Sequence, residues 1–214
     1  MKEEKIVDYK NKENDYKLEK SIMSHEPNQI WEYIDRFRKS QYFQEVIGQG
    51  YLVKWAGIHV GAYLEEDDEE FIENIRELLG NNTMLTLDTV EPFLESNSVE
   101  NLRDAFSLFL REEIEPIEFI DKFLELENCS LYLASHLLSL ATDGDYIIYH
   151  NTMYEALMEL FPILGGDPEP ATDGVTYMYV QMACDVIIQS YKFTSVQELH
   201  EFLWHGKETN WKFE

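Results

Sequence analysis

A mainly α-helical fold is what this sequence predicts, and three observations carry the reading. Apolar residues recur at helical spacing through most of the chain. Two of those runs open on a Thr-x-x-Glu or Ser-x-x-Glu pattern, the signature of a capped helix start. Strand-like alternation is concentrated in one stretch, Gly48 to Leu64. The expected architecture is a multi-helix orthogonal bundle with a small N-terminal mixed part. An α+β fold with one β-hairpin is the variant that Gly48 to Leu64 leaves open. Three segments are expected: residues 1–24 as a charged arm, 25–96 as the small mixed α/β part, and 97–214 as an all-helical domain.

The elements follow in order. Residues 1–20 alternate charges with few apolar positions, which suits a frayed helix or a flexible arm. Pro27 fits the first turn of a helix running to about Phe43, with Ile30, Trp31, Ile34 and Phe37 on its apolar side. Arg36, Arg38 and Lys39 on that helix read first as a solvated face and only second as a phosphate site. In Gly48 to Leu64, Tyr51, Val53 and Trp55 alternate and Ile58 and Val60 resume the pattern, so a hairpin is expected, although two short helices also fit.

Glu65 to Glu70 is an unbroken acidic run that opens a helix ending near Gly80. Asn81 to Val90 reads as a turn followed by a cap or short strand. Helices are then expected at Val99 to Glu113, Pro116 to Glu127, Leu131 to Leu140 and Thr152 to Leu164, the last opened by Thr152 and Glu155. Gly165 to Gly174 is a loop rich in glycine, proline and acids. An apolar helix spans Tyr177 to Tyr191, and Ser195 with Glu198 opens the last helix. The expected core includes Leu133, Leu137, Leu157, Val186, Leu199 and Trp204. Cys129 and Cys184 lie far apart in apolar surroundings and read as reduced core residues.

Charge decides which functions are excluded. The chain has 42 acidic and 17 basic residues, a formal net charge of −25. Residues 1–24 are neutral, with six lysines and six acids, so the excess lies beyond them. From Phe123 to Tyr191 there are ten acidic residues and no lysine or arginine. Phosphate contacts supply most of the affinity for nucleic acid and require those side chains, so direct binding to DNA or RNA is not expected. The partner that fits is a basic protein surface, such as that of a nucleic-acid-binding enzyme. The candidate contact residues are Glu65, Glu66, Asp67, Asp68, Glu69, Glu70, Asp143, Asp145, Asp167, Glu169 and Asp173.

Other chemistries leave no pattern. His200 and His205 are five apart, not the four of a helical zinc pair, and the acidic run lacks the alternation and glycine of a calcium loop. No phosphate-binding glycine loop, nucleophile elbow or dinucleotide fingerprint is present. No catalytic, metal or cofactor site is therefore assigned. No apolar run of membrane-spanning length occurs either, and a bacterial or phage-infected cytosol is the expected compartment.

Residues 126–157 carry a resemblance. Leu126 to Ala134 (LENCSLYLA) lines up with the Leu-Pro-Gly-x-Gly-x-Lys-Thr-Ala hairpin of helix-hairpin-helix DNA glycosylases. Tyr149 to Met153 falls where those enzymes carry Val-Asp-Thr-x-Val. Ala134-Ser135, the run Tyr146 to Asn151 and Leu203-Trp204 resemble a pattern in McrB-type restriction systems and related prokaryotic defence proteins. The resemblance spans about residues 97–205 and implies a glycosylase-like helical scaffold. The departures imply that the activity is absent. The hairpin glycines are Asn128 and Ser130, its proline is Glu127, the lysine position is Tyr132 and the catalytic aspartate position is His150. A neutral imidazole cannot give the anionic stabilisation an aspartate gives, so His150 is the one weak functional candidate, against a simple turn or capping role. The chain thus leans away from being an enzyme. The expected function is a non-catalytic acidic interaction protein, an accessory of a prokaryotic defence or DNA-processing system. The alternative is a phage or immunity-type inhibitor that mimics nucleic-acid charge; a divergent nucleic-acid enzyme comes third.

Overall fold

The computed structural model describes residues 27–46, 56–80, 85–161 and 170–213. Among these residues there are eleven α-helices and one 3-10 turn, and no strand. The helices are α1 (Pro27–Lys39), α2 (Gln41–Val46), α3 (Ala56–Tyr63), α4 (Asp68–Gly80), α5 (Leu87–Ser96), α6 (Val99–Phe106), α7 (Pro116–Leu124), α8 (Leu131–Ala141), α9 (Asn151–Leu160), α10 (Gly174–Tyr191) and α11 (Val196–Glu208). The 3-10 turn, Ser107–Leu110, continues α6.

Two expectations are corrected. The hairpin expected over Gly48 to Leu64 is helix α3 in its second half, while residues 47–55 lie outside the described residues. An eight-residue apolar run has no periodicity that separates a buried strand from a buried helix. Packing is close there: a Cβ on Gly61 would come 3.1 Å from Leu110 Cδ2, so α3 lies close on the 3-10 turn. The short strand allowed before Val90 is also helix, since α5 begins at Leu87 after an extended Thr86. Elsewhere the helices fall close to the expected places. α9 opens at Asn151, one residue before the expected start, within the usual latitude of helix ends.

The helices group into two compact units. The first comprises 1–50, 151–170 and 180–214; the second comprises 51–150 and 171–179. The expected division at residue 96 lies inside the second unit, and α10 contributes its first six residues, 174–179, to the second unit and the rest to the first.

The first unit is built on aromatic contacts between α1, α11 and the tail. Phe37 meets Phe202 edge-on at 5.6 Å between ring centroids, and Phe202 meets Phe193 at 5.4 Å and Trp211 at 5.6 Å. α9 packs along α11. The tryptophan at the centre of this core is Trp211, 6 % exposed, and not Trp204, which is half-buried, as is Val186. The helix positions of both residues were expected correctly; their rotation about the helix axis was not. Asn210 and Trp211 adopt positive φ (52° and 59°), turning the chain back so that Trp211 lies on Gly206. A Cβ on Gly206 would stand 2.2 Å from the indole, so only glycine fits there.

In the second unit phenylalanines run through the core: Phe71 to Phe106 (6.2 Å), Phe106 to Phe123 (5.4 Å), Phe123 to Phe119 (4.9 Å). Leu133 and Leu137 of α8 are fully buried, as expected. α8 packs on α7, and α3 on α4, α8 and the 3-10 turn. No described helix is long and apolar enough to cross a membrane.

Candidate interaction surface

The acidic run between α3 and α4 is held from beneath by one arginine. After α3 the chain continues in turns, the Glu65 N–H donating to the Ala62 carbonyl (3.1 Å) and the Glu66 N–H to the Tyr63 carbonyl (3.2 Å). Arg103 on α6 donates to the carbonyl oxygens of Leu64 (2.7 Å) and Glu66 (2.6 Å), and its guanidinium lies 3.3 Å from Asp68 and over the Phe71 ring at 4.4 Å. Asp67 then caps α4, its Oδ1 accepting from the Glu69 N–H (3.1 Å) and the Glu70 N–H (3.0 Å). Glu66 accepts from the Asn74 side chain at 2.5 Å. Asp67, Asp68 and Glu66 therefore have local structural work, although Asp67 and Asp68 are exposed like Glu65, Glu69 and Glu70. Arg103 is the residue that sequence reading missed; nothing in its neighbourhood of the chain points to a loop forty residues away.

The hairpin of the resemblance lies between α7 and α8. Its turn is a helix–turn–helix with Asn128 in the left-handed region at φ 59°, the conformation a glycine would serve. The turn is pinned to α5 and the residue after it. Asn97 Oδ1 accepts from the Glu127 N–H (3.0 Å), Asn97 Nδ2 donates to the Glu127 carbonyl (2.8 Å), and Asn128 Nδ2 donates to Ser96 Oγ (2.6 Å) and the Pro92 carbonyl (3.2 Å). The Cys129 N–H donates to the Leu126 carbonyl at 3.3 Å. The Glu127 and Cys129 N–H groups are thus both engaged within the turn. Ser130 caps α8 by accepting from the Leu133 N–H at 3.3 Å. Burial pushes the Cys129 thiol up to about 12, which makes it a poor nucleophile.

The second half of the resemblance is a hydrogen-bonded brace. Ser135 Oγ accepts from the Tyr149 N–H (2.8 Å), the Tyr149 hydroxyl accepts from the Ala171 N–H (3.0 Å), and the Tyr177 hydroxyl donates to the Ile147 carbonyl (2.8 Å). His150 lies edge-on to Tyr132, with ring centroids 5.2 Å apart, so the two positions that stand for aspartate and lysine are neighbours. Burial raises the Tyr132 phenol above its ordinary value, keeping it protonated.

Of the remaining acidic candidates, the described ones lie in the turn after α8 and at the start of α10. Asp143 and Asp145 are exposed in the turn after α8, where Asp143 (φ 53°) and Gly144 (φ 88°) reverse the chain. Asp173 caps α10: its Oδ1 accepts from the Thr176 N–H (2.8 Å) and hydroxyl (2.7 Å), which hold its carboxyl below the usual range. Asp167 and Glu169 lie outside the described residues.

The second unit has 23 acidic and five basic residues, a formal −18. Each of its described cations is already engaged: Arg76 with Glu73 and Glu91, Arg103 as above, Arg111 with Glu118 at 2.8 Å, and Lys122 with Asp104 at 2.7 Å. In the first unit the α1 cations are engaged too. Arg38 pairs with Glu198 (2.6 Å) and donates to the Lys192 carbonyl (2.8 Å), Lys39 pairs with Asp35 (2.6 Å), and Arg36 lies 3.8 Å from Glu32. The three cations of that cluster each have a carboxylate neighbour.

Among the described residues no group of histidine, cysteine and carboxylate is arranged to hold a metal ion. Compared with protein-family models, curated proteins and solved structures, the chain matches none.

Proposed function

We propose that this chain is a non-catalytic, strongly acidic interaction protein on a degenerate glycosylase-like helical scaffold. In this reading it is an accessory of a prokaryotic defence or DNA-processing system, working in the cytosol against a basic protein surface. The observation that carries the reading is the state of charge of the second unit: 23 acids face five bases, and every described base is paired. Such a surface repels a phosphate backbone and attracts a basic cleft at long range. The hairpin supports the same reading, because an exposed carboxylate, Glu127, stands where the resemblance would bring a phosphate. Catalysis has little to work with: the Tyr132 phenol is kept protonated by burial, and a histidine stands at position 150 in place of a carboxylate.

A second reading, an inhibitor that imitates nucleic acid, draws support from the exposed acids at Asp67, Asp68, Glu69 and Glu70. Both readings meet one test. The full chain is mixed at physiological salt with duplex DNA, with duplexes carrying damaged bases, and with a basic DNA-binding protein. No DNA complex and no abasic product are expected. Association with the basic protein should slow steeply as salt is added, while dissociation changes little. Converting Glu65, Glu69 and Glu70 to lysine, which spares the Asp67 cap and the Arg103 contacts, should slow association further. Direct DNA binding, or base excision that His150→Ala abolishes, would overturn the proposal. Competition with DNA for the same protein separates the inhibitor from the accessory.

A further inference from the structure

We infer that the partner docks on an acid-rimmed apolar patch of the second unit formed by Ile117, Val175 and Tyr179, and that it does so with a basic, amphipathic helical segment. This rests on the reading above and gives it a place.

Single exposed apolar residues are ordinary on any protein; grouped ones call for an explanation. Ile117 is 41 % exposed, Val175 48 % and Tyr179 65 %. They are brought together by the close approach of α10 to the first turn of α7. The Gly174 N–H donates to Asp121 Oδ1 at 2.7 Å, and a Cβ on Gly174 would stand 2.6 Å from the Ile117 carbonyl oxygen. Val175 follows at once, and Tyr179 is one turn further along the same face. A tyrosine that presents its ring to solvent is the side chain most suited to anchor a partner, since it adds large contact area at small entropic cost.

Charge then selects the occupant. Glu115, Glu118 and Asp173 are exposed on the segments that carry the patch, and Asp121 is half-buried between them. The Arg111 guanidinium beside Glu118 is already paired with it. α10 itself has no lysine or arginine. The helix N-terminus is no anion site, because Asp173 caps it. An anionic membrane and a nucleic acid would both be repelled, and so would a second copy of a chain with a net charge of −25. A helix with apolar residues on one face and lysine or arginine beside them matches the apolar centre and the acidic rim together.

The test uses the full chain and two labelled peptides, with anisotropy as the readout. One is a Leu/Lys peptide of about five helical turns with its leucines on one face; the other has the same composition in scrambled order. The ordered peptide should bind about tenfold more tightly. Val175→Ser combined with Tyr179→Ser should erase that advantage, whereas Leu87→Ser, at a residue 57 % exposed elsewhere on the unit, should leave it intact. All three positions are at the surface, so an unchanged thermal midpoint checks that folding is preserved. Equal binding of the two peptides, or an advantage that survives the double substitution, overturns the placement while leaving the basic-partner reading standing. Binding of both peptides that ignores salt overturns the reading itself. A wild-type dimer that the double substitution splits assigns the patch to a second copy and also overturns the inference.

Discussion

In the first unit carboxylates go inside. Glu198 is fully buried and accepts from Arg38 (2.6 Å), the Thr194 N–H (2.6 Å) and the Thr194 hydroxyl (2.7 Å); Glu201, 4 % exposed, accepts from the Tyr42 hydroxyl at 2.5 Å. In the second unit no described carboxylate is buried, and the core is phenylalanine and aliphatic side chains. The first unit spends polar contacts on fixing how α1 and α2 meet α11. The second leaves its charge outside, where it adds little to stability and sets a field. One sequence therefore handles acidic residues in two ways, and each way has its own response to mutation, pH and salt.

The largest effects should come from the two aromatic cores. Trp211→Ala removes an indole packed on Phe202, Tyr33 and Gly206, and its bond to Glu159 at 2.8 Å. Phe123→Ala removes the ring that joins Phe106 to Phe119. Each should cost ~3–5 kcal/mol by chemical denaturation. The change at Trp204, which is half-buried, should cost clearly less; the reverse order would show that the tail does not belong to the core.

Next in size is the contrast between buried and exposed carboxylates. Glu198→Ala leaves Arg38, the Thr194 N–H and the Thr194 hydroxyl without their acceptor, and should cost ~1–3 kcal/mol, less than a fully buried pair because Arg38 is one-third exposed. Glu118→Ala in the second unit breaks an exposed surface pair with Arg111 and should leave stability essentially unchanged. Equal losses from the two substitutions would remove the distinction between the units.

This contrast also explains what the sequence could convey. Ser195 and Glu198 were legible as a helix start, and Ser195 does cap α11 by accepting from the Glu198 N–H at 3.1 Å. The Glu198 side chain, however, turns to Arg38 across 160 positions of chain, which no local pattern encodes. Helix locations were readable because periodicity is local. The half-buried rotation of Val186 and Trp204, and the helical state of Ala56–Tyr63, were not, because both depend on what packs against an all-apolar surface. At the candidate surface, the charge bias was plain in the composition. The anchoring of the acidic run by Arg103, and the meeting of Ile117 with Val175 through Gly174, join segments about forty and sixty residues apart.

Acidification should loosen the first unit before the second. Burial pushes the Glu198 carboxyl up, but hydrogen bonds from Arg38 and Thr194 outweigh it and hold it below the ordinary range; Lys207 and Trp211 do the same for Glu159. The stability these two add is present above about pH 4.3 and is lost as pH falls through their folded values. Burial lowers the His205 imidazole against the pull of Glu208 and Glu201, so the folded state prefers it neutral, and stability begins to fall below about pH 6.5. Asp185, raised by burial, works in the opposite direction and softens the loss. Hydrogen exchange from pH 7 to pH 4 should show α11 opening ahead of α7 and α8. Earlier opening of α7 would reverse the assignment of pH sensitivity.

Salt gives the smallest and most discriminating effect. A formal −18 on 109 residues is self-repelling, and its charges lie at the surface, within reach of counter-ions. Monovalent salt raised from low to physiological levels should therefore stabilise the second unit. The first unit is closer to neutral, with 19 acids against 12 bases, and its Arg38–Glu198 pair is shielded from solvent on the carboxylate side. Screening has less to relieve there. A gain of about 1 kcal/mol in the second unit corresponds to a rise of about 2–4 °C in the midpoint of a chain this long. Exchange protection in α4, α7 and α8 should increase with salt while that in α11 stays flat. If the surface pairs of Arg76, Arg111 and Lys122 carried the second unit instead, salt would weaken them and protection there would drop. The sign of the change thus decides between net repulsion and paired attraction as the dominant electrostatic term of that unit.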